Sequence, residues 1–304
     1  MAELHQQMPP ISVIVPFYQA AKTLRQLIEA LLTQDYSGDY EILLVDNNST
    51  DEGPVIAASY GSRVKVLEEP VQGSSAARNK GIAESQFDLL AFTDADCVPR
   101  ADWLSAMAEH WSEPEGITFV GGPILAREPA NSIARFVQVK FDQRAAIETF
   151  KPPAIITANI LARRRDLETV GLFDLRYLLG QDSEISFRGF FEHQASFSFC
   201  AAAVVEHENV NSLFGLISKG WEHGTGSAYV WAGYSERLGV SPVERARKLQ
   251  PYADALLAAC ALLPALFTEG GEGQRRRDSF YNALFDMGKQ AAFAWHTLIR
   301  GIKL

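Results

Sequence analysis

Apolar positions along the chain alternate between two textures, short continuous runs and stretches with helical spacing. ISVIVP (residues 11–16) is a β-rich run that stops at proline. After it Leu24, Leu27, Ile28, Leu31 and Leu32 recur at threes and fours, which marks one face of a helix. EILLVD (41–46) predicts a second strand, residues 52–60 a helix, VKVLEE (64–69) a third strand, 76–84 a helix and DLLAFTD (88–94) a fourth strand. Strands alternating with helices predict βαβ units and a mostly parallel sheet. Near-continuous apolar strands fit a sheet covered on both faces. The predicted class is therefore α/β.

The second half is less regular. A Gly-Gly-Pro turn at 121–123 precedes a long predicted helix over 131–149 and a strand, AIITANILARR (154–164). A turn-rich segment enters a helix near Asp182, and ASFSFCAAAVVEHE (195–208) reads as a strand ending in Glu206-His207-Glu208. Beyond about residue 230 the strand signals stop and the chain reads as helical.

With 304 residues, 47% of them hydrophobic, the chain can form one large domain or a domain with an annex. The net charge of −9 argues against a nucleic-acid partner, because neutralising phosphates needs a basic surface. It leaves room for a phosphate-bearing ligand whose charge a metal offsets. Cys97, Cys200 and Cys260 are odd in number and widely spaced, with no CxxC, which predicts a reducing cytoplasm. MAELHQQMPP has neither a basic n-region nor an apolar h-region, so no secretory signal is expected. The longest apolar stretch, ALLAACALLPALF (255–267), is short for a membrane span and contains Pro264; it reads as a buried or interfacial helix.

In open α/β sheets, ligands bind beyond the carboxyl ends of the strands. That rule singles out Pro16-Phe17-Tyr18, Asp46-Asn47-Asn48-Ser49 and Thr93-Asp94-Ala95-Asp96. Each alone also fits a capped turn, with Asp46 or Ser49 as N-cap of the next helix. Asp94 and Asp96, two apart on an extended segment, point the same way. Two carboxylates about 4–6 Å apart repel by roughly 1 kcal/mol in water and more in a lower dielectric. A divalent cation removes that conflict, and oxygen ligands suit Mg²⁺ or Mn²⁺. The alternative is a capping pair before the helix that PRADWL begins. In GSSAARNKGI (73–82), small residues ahead of a helix carrying Arg78 make either a phosphate neighbour or an ordinary cap.

Taken in order and spacing, ISVIVPFYQAAKTLRQLIEALLTQDYSGDYEILLVDNNSTDEG, GSSAARNKGI and LLAFTDADCVPRADWL resemble the family 2 glycosyltransferases. TANILARRRDLETVGLFDLRYLLGQDSEISFR (157–188) is similar to the family's acceptor-side segment, and the resemblance runs over about residues 11–225. It implies the A-type glycosyltransferase fold, a Rossmann-like mostly parallel sheet flanked by helices, here with a helical C-terminal extension. The implied division is a catalytic domain over 9–228, with a nucleotide-sugar half (9–118) and an acceptor half (119–228), followed by the extension (229–304).

The resemblance also implies roles. Pro16 and Tyr18 would lie along the nucleotide base and ribose. Asp46 would accept a hydrogen bond from the base, usually uracil, with Asn48 nearby, and Arg78 would belong to the same pocket. Asp94 would lie near the ribose, while Asp96 would contact the Mn²⁺ or Mg²⁺ that bridges the diphosphate. His207 matches a position that helps bind metal or diphosphate, and Asn159 lies where the family lines its active site. Asp182 matches the catalytic base of an inverting transfer from a nucleotide sugar to a saccharide or lipid-linked acceptor in cell-envelope polysaccharide or glycolipid assembly. In such a displacement the base takes the acceptor hydroxyl proton as its oxygen attacks C1 of the sugar. Glu184 is a second candidate base.

The family usually has Glu-Asp where this chain has Gln181-Asp182. Gln181 is the feature that points to the alternative, a non-catalytic nucleotide-sugar-binding relative acting as a partner or scaffold. LISKGWEHGTG (216–226) contains Trp221 but lacks the Gln-x-x-Arg-Trp of processive members, so one sugar per binding event is expected. No G-x-G-x-x-G follows the first strand, which disfavours a dinucleotide oxidoreductase. A nucleotidyltransferase would want a basic glycine-rich loop there, where this chain has PFYQAAKT.

Phe280, Leu284, Met287, Ala291, Trp295, Leu298 and Ile302 form an apolar helical stripe preceded by Arg275-Arg276-Arg277. It reads either as a helix packed on the catalytic domain or in a homodimer, or as an interfacial helix. The latter would bring a peripheral enzyme to a lipid-linked acceptor on the inner face of the membrane.

Overall fold

The computed structural model describes residues 8–111, 116–128, 130–239, 241, 243, 246, 257 and 270–300. Cys260, Ile302 and nearly all of the apolar stretch over 255–267 lie outside the described residues. The chain forms two compact units. One comprises Met1–Leu125, Phe141–Leu175 and Asp182–Glu208; the other comprises Ala126–Lys140, Arg176–Gln181 and Asn209–Leu304. These units do not follow the linear division at 228/229.

The first unit begins as the alternation predicts: β1 (Ile11–Phe17), α1 (Leu24–Leu32), β2 (Tyr40–Asp46), α2 (Gly53–Ala58), β3 (Lys65–Glu68), α3 (Ser74–Glu84) and β4 (Leu89–Thr93). With β6 (Thr118–Gly121), β8 (Asn159–Arg163) and β9 (Ser196–Phe199) these strands make a seven-stranded sheet in the order β3-β2-β1-β4-β8-β6-β9. β1 to β4 are mutually parallel, β8 is antiparallel to β4 and β6, and β6 and β9 are parallel. A small second sheet joins β5 (Cys97–Pro99), β10 (Val205–His207) and β7 (Ile124–Ala126) in the order β5-β10-β7.

Side chains alternate across β1, and both faces are covered. Ile11, Val13 and Val15 pack with Leu24, Leu27, Ile28 and Leu31 of α1, whereas Ile14 packs with Leu43, Ile82, Leu90 and Phe92 on the other side. A sheet buried on both faces needs continuous apolar strands, which is why the first half reads as such runs. The same unit holds α4 (Trp103–His110), α6 (Gln143–Glu148), α7 (Arg164–Val170) and most of α8 (Gln181–His193).

Three expectations change in the second half. The helix expected over 131–149 is two, α5 (Ser132–Lys140) and α6, because Asp142 caps α6 by accepting from Ala145 N at 3.1 Å. The run over 195–208 is two strands in different sheets, β9 and β10. Within 154–164 only Asn159–Arg163 is strand, and Thr157-Ala158 make the turn that leads into it.

In the second unit, α9 (Leu213–Leu238) packs against α10 (Gly270–Ala294), which continues as a π-helical turn, Trp295–Arg300. Glycines let the backbones touch. A Cβ on Gly220 would lie 2.2 Å from Phe285 O, and one on Gly224 would lie 2.1 Å from Lys289 O. The apolar stripe of α10 is divided: Phe280 and Leu284 are buried, while Trp295 and Leu298 are exposed. No helix among the described residues is long and apolar enough to cross a membrane.

Candidate active site

The order in which successive strands are laid down reverses between β1 and β4, which are parallel neighbours although β2 and β3 intervene in sequence. That is the switch point where open α/β sheets bind ligands. Pro16 is buried inside β1, and Tyr18 just beyond it is 54% exposed. Gln19 fastens this loop to the one after β2: its Oε1 accepts from Thr50 N and Asp51 N, and its Nε2 donates to Thr50 Oγ1 at 2.9 Å.

After β2, Asp46 Oδ1 accepts from Ser49 N at 3.0 Å in a local turn; neither residue caps α2, whose N-cap position is Glu52. Asn48 is exposed, in the left-handed region at φ 66°, and donates to Pro70 O at 2.9 Å. Asn47, which the motif reading passed over, is the buried one. Its Nδ2 donates to Glu69 O and Val71 O, and its Oδ1 accepts from Gly73 N at 2.6 Å. Asn47 thereby ties the end of β2 to the start of α3, where Gly73 sits at φ 132°, a conformation that favours glycine.

Arg78 on α3 is buried, and its Nη2 donates to Asp94 Oδ1 at 2.7 Å. Its guanidinium lies over the Phe173 ring, 5.7 Å from the centroid. Asn79 holds that region in place, donating to Phe173 O and accepting from Phe173 N. Arg78 Nε and Nη1 are buried with no hydrogen-bond acceptor among the described residues, which is costly.

Asp182 stands in the first turn of α8, where the helix dipole favours negative charge. Thr157 Oγ1 donates to Asp182 Oδ1 at 2.9 Å and Thr157 N to Oδ2 at 3.3 Å. Burial pushes the Asp182 carboxyl above its ordinary value, and the nearby Asp94 charge adds to the rise; Arg78 and the Thr157 bonds oppose it. Glu184 is placed differently. It is buried and engaged by Arg188, with Nε at 2.9 Å and Nη2 at 2.7 Å, so it is a structural ion pair.

Asn159, expected to line the site, lies wholly buried at the start of β8. Trp103 Nε1 donates to its Oδ1 at 2.8 Å, and its Nδ2 donates to Pro123 O and Ala203 O. Each polar atom of the amide is engaged, so this side chain braces the site rather than lining it.

Antiparallel pairing of β5 with β10 puts His207 opposite Cys97, and Glu208 N donates to Asp96 O at 3.0 Å. His207 Nε2 consequently lies 3.4 Å from Asp96 Oδ2. Ligand atoms of Asp96, Cys97 and His207 fall within 4.8 Å of one another. A carboxylate and an imidazole suit Mn²⁺, whereas the buried Cys97 thiol is a soft group that such a cation does not select. The residues present thus fit a divalent cation held by Asp96 and His207.

The chain matches the model for glycosyl transferase family 2 over residues 12–171. Glycosyltransferase AglE of Haloferax volcanii is 31% identical over 231 residues, 74% of this chain and 75% of that protein. The pre-mycofactocin glycosyltransferase of Mycobacterium tuberculosis is 26% identical over 219 residues; the match takes in 69% of this chain but only 45% of the relative's length. Among solved structures, the mannosyltransferase PcManGT of Pyrobaculum calidifontis, in complex with GDP-Man and Mn²⁺, superposes with a TM-score of 0.60. Its identity is 18%, over 93% of this chain and 86% of that one. Residues 1–349 of S. aureus TarS superpose with a TM-score of 0.52 at 15% identity, over 93% and 90% of the two chains. The two structures share the fold, and the sequence matches decide the family: this chain belongs to glycosyl transferase family 2.

Proposed function

We propose that this protein is an inverting, metal-dependent glycosyltransferase that moves one sugar from a nucleoside-diphosphate sugar to an acceptor hydroxyl. The observation that carries the reading is Asp182: a carboxyl raised by burial, held on both oxygens, within electrostatic reach of Arg78 and Asp94. A carboxylate whose pKa is raised is a stronger base than a solvated one.

In this reading Tyr18 offers an exposed ring to the base, and Asp46, with Asn48 beside it, offers a carboxylate edge. Arg78, held through Nη2 by Asp94, supplies positive charge on the donor side of the site. Asp182 takes the proton of the acceptor hydroxyl as that oxygen attacks C1, and the nucleoside diphosphate leaves from the opposite face. A divalent cation bound by Asp96 and His207 would supply positive charge against the departing diphosphate. No covalent sugar intermediate is involved. UDP is the nucleotide the family resemblance favours, and GDP is the one bound in PcManGT, so both belong in the test. The acceptor we favour is a saccharide or lipid-linked glycan of the cell envelope, reached from the cytoplasmic side.

Thermal unfolding with UDP, GDP, ADP, CDP and dTDP, each with and without MnCl₂, tests the site. One nucleotide should stabilise the protein only with Mn²⁺, by about 2.7 kcal/mol at a hundredfold excess over Kd. The effect should vanish in Asp96→Ala. No response to any of the five nucleotides overturns the reading.

A further inference from the structure

Thr157 opens the TANILARR segment without a role of its own in the sequence pattern, yet its surroundings single it out. It is 1% exposed, in the turn ahead of β8. Two other threonine hydroxyls, Thr149 and Thr169, donate to backbone carbonyls one helical turn back, at 2.7 and 2.6 Å. That is the usual local outlet for a hydroxyl. Thr157 instead gives both its hydroxyl and its backbone N–H to one carboxylate, one donor to each oxygen of Asp182.

The turn that carries these donors is pinned from several directions. Ile155 N donates to Ser186 Oγ at 3.0 Å, and Ser186 Oγ donates in turn to the Asp182 carbonyl. Ile156 N donates to Gln143 Oε1 at 2.6 Å, while Gln143 Nε2 reaches Asn159 O at 2.7 Å and Gly122 O at 2.9 Å. Every residue from 155 to 159 except Ala158 is thus held by α6, α8 or Asp182 itself. The donors of Thr157 are set in place before any substrate arrives.

We propose that Thr157 is a positioning residue for the base: its hydroxyl and amide hold the Asp182 carboxylate in one orientation and leave its remaining lone pairs to the acceptor hydroxyl. This rests on the reading of Asp182 as base. The charged groups that bear on Asp182 are Arg78 from α3, which favours the anion, and Asp94 after β4, which opposes it together with burial. Against that background the two Thr157 bonds are the local, uncharged contribution that favours the carboxylate. Removing the hydroxyl should leave the backbone donor in place and move the titration upward.

The test is a ¹³C NMR titration of protein labelled at aspartate Cγ, with the Asp182 signal assigned by its loss in Asp182→Asn. Thr157→Val should raise the Asp182 midpoint by about one pH unit. Thr157→Ser, which restores the hydroxyl, should bring it back. Sugar transfer from UDP- and GDP-sugars to a mixed saccharide and lipid-linked acceptor library is followed in parallel. There kcat should fall about tenfold in Thr157→Val with little change in donor KM, and recover in Thr157→Ser. An unmoved Asp182 midpoint in a folded Thr157→Val overturns the inference, even where Asp182→Asn abolishes transfer and the base assignment stands. Full transfer by Asp182→Asn overturns the base reading and the inference together.

Discussion

Arg78 donates to Asp94 Oδ1 at 2.7 Å, while Asp96, two residues on, faces His207 Nε2 at 3.4 Å from Oδ2. The two acids of the Asp-Ala-Asp segment therefore have different partners. Asp94→Ala should strand a buried guanidinium. Such a break costs about 3–5 kcal/mol when both partners are buried. Because Asp94 is 32% exposed and solvent screens part of the pair, a loss of about 1–3 kcal/mol is expected. Asp96→Ala should change stability by less than about 0.5 kcal/mol, yet remove the Mn²⁺-dependent response to nucleotide. Urea unfolding of the two variants, with and without MnCl₂, separates them; equal stability losses would contradict the asymmetry.

Asp182 links activity and stability through one ionisation. Its carboxyl titrates above the ordinary 3.8, raised first by burial. The rate should therefore rise with pH along an acid limb whose midpoint lies above 3.8, since the base acts unprotonated. The stability sign is opposite. Below the unfolded value both states are protonated; between the two values the folded state holds more protons, so stability falls as pH rises, and above the folded value the loss is complete. Asp182→Asn should abolish transfer while its stability relative to the parent improves as pH rises above the ordinary 3.8. A parent advantage that grows over that range would contradict the raised carboxyl.

The strand-end positions of the first half were legible because their signals are local. A parallel strand covered on both faces has to be apolar throughout, and the residue after it has to be on the rim. That logic located Tyr18, Asp46 and Asp94 from sequence alone, and Arg78 followed from the helix start. What sequence pattern could not show was pairing across the fold. Asn47 and Asn48 look alike in sequence, and only the position of Gly73 makes Asn47 the buried strut. Asn159 sits in a segment that resembles an active-site lining, but the proximity of Trp103, Pro123 and Ala203 fills its amide. Thr157 and the His207–Asp96 proximity depend on a turn before β8 and on a three-residue strand, β5, both too short to carry a period.

His223 gives the second unit a pH dependence of its own. Burial pushes its imidazole from 6.5 down to about 3, helped by the charges of Lys219, Lys289 and Lys140, and its ring lies 5.7 Å from that of Phe285. The folded state holds it neutral while the unfolded chain protonates it. Its contribution is thus fully present above 6.5 and is lost as pH falls toward 3. Helix content followed by circular dichroism should show an acid-sensitive loss of about 1–4 kcal/mol across this window. His223→Gln should flatten it. An identical acid profile in the variant would place the sensitivity elsewhere.

Gly81 tests whether the spacing between α3 and β1 positions Arg78. A Cβ there would lie 2.4 Å from Ile14 Cγ2, and Ile14 is fully buried in β1. Being β-branched, Ile14 has little rotamer freedom with which to move aside. The helix must shift outward instead, carrying Arg78 three residues earlier, whose 2.7 Å bond to Asp94 does not survive a displacement of an ångström. Helix propensity alone favours Ala over Gly by about 0.8–1.0 kcal/mol, so propensity and clash predict opposite signs. Overpacking of about 1–3 kcal/mol should win, giving Gly81→Ala a lower Tm and a weaker nucleotide response. Lys80→Ala, on the partly exposed side of the same helix, should leave both close to the parent. A raised Tm with unchanged nucleotide binding in Gly81→Ala would mean that Ile14 yields, and that the reach of Arg78 is set by the Phe173 and Asn79 contacts rather than by the packing of α3 on β1.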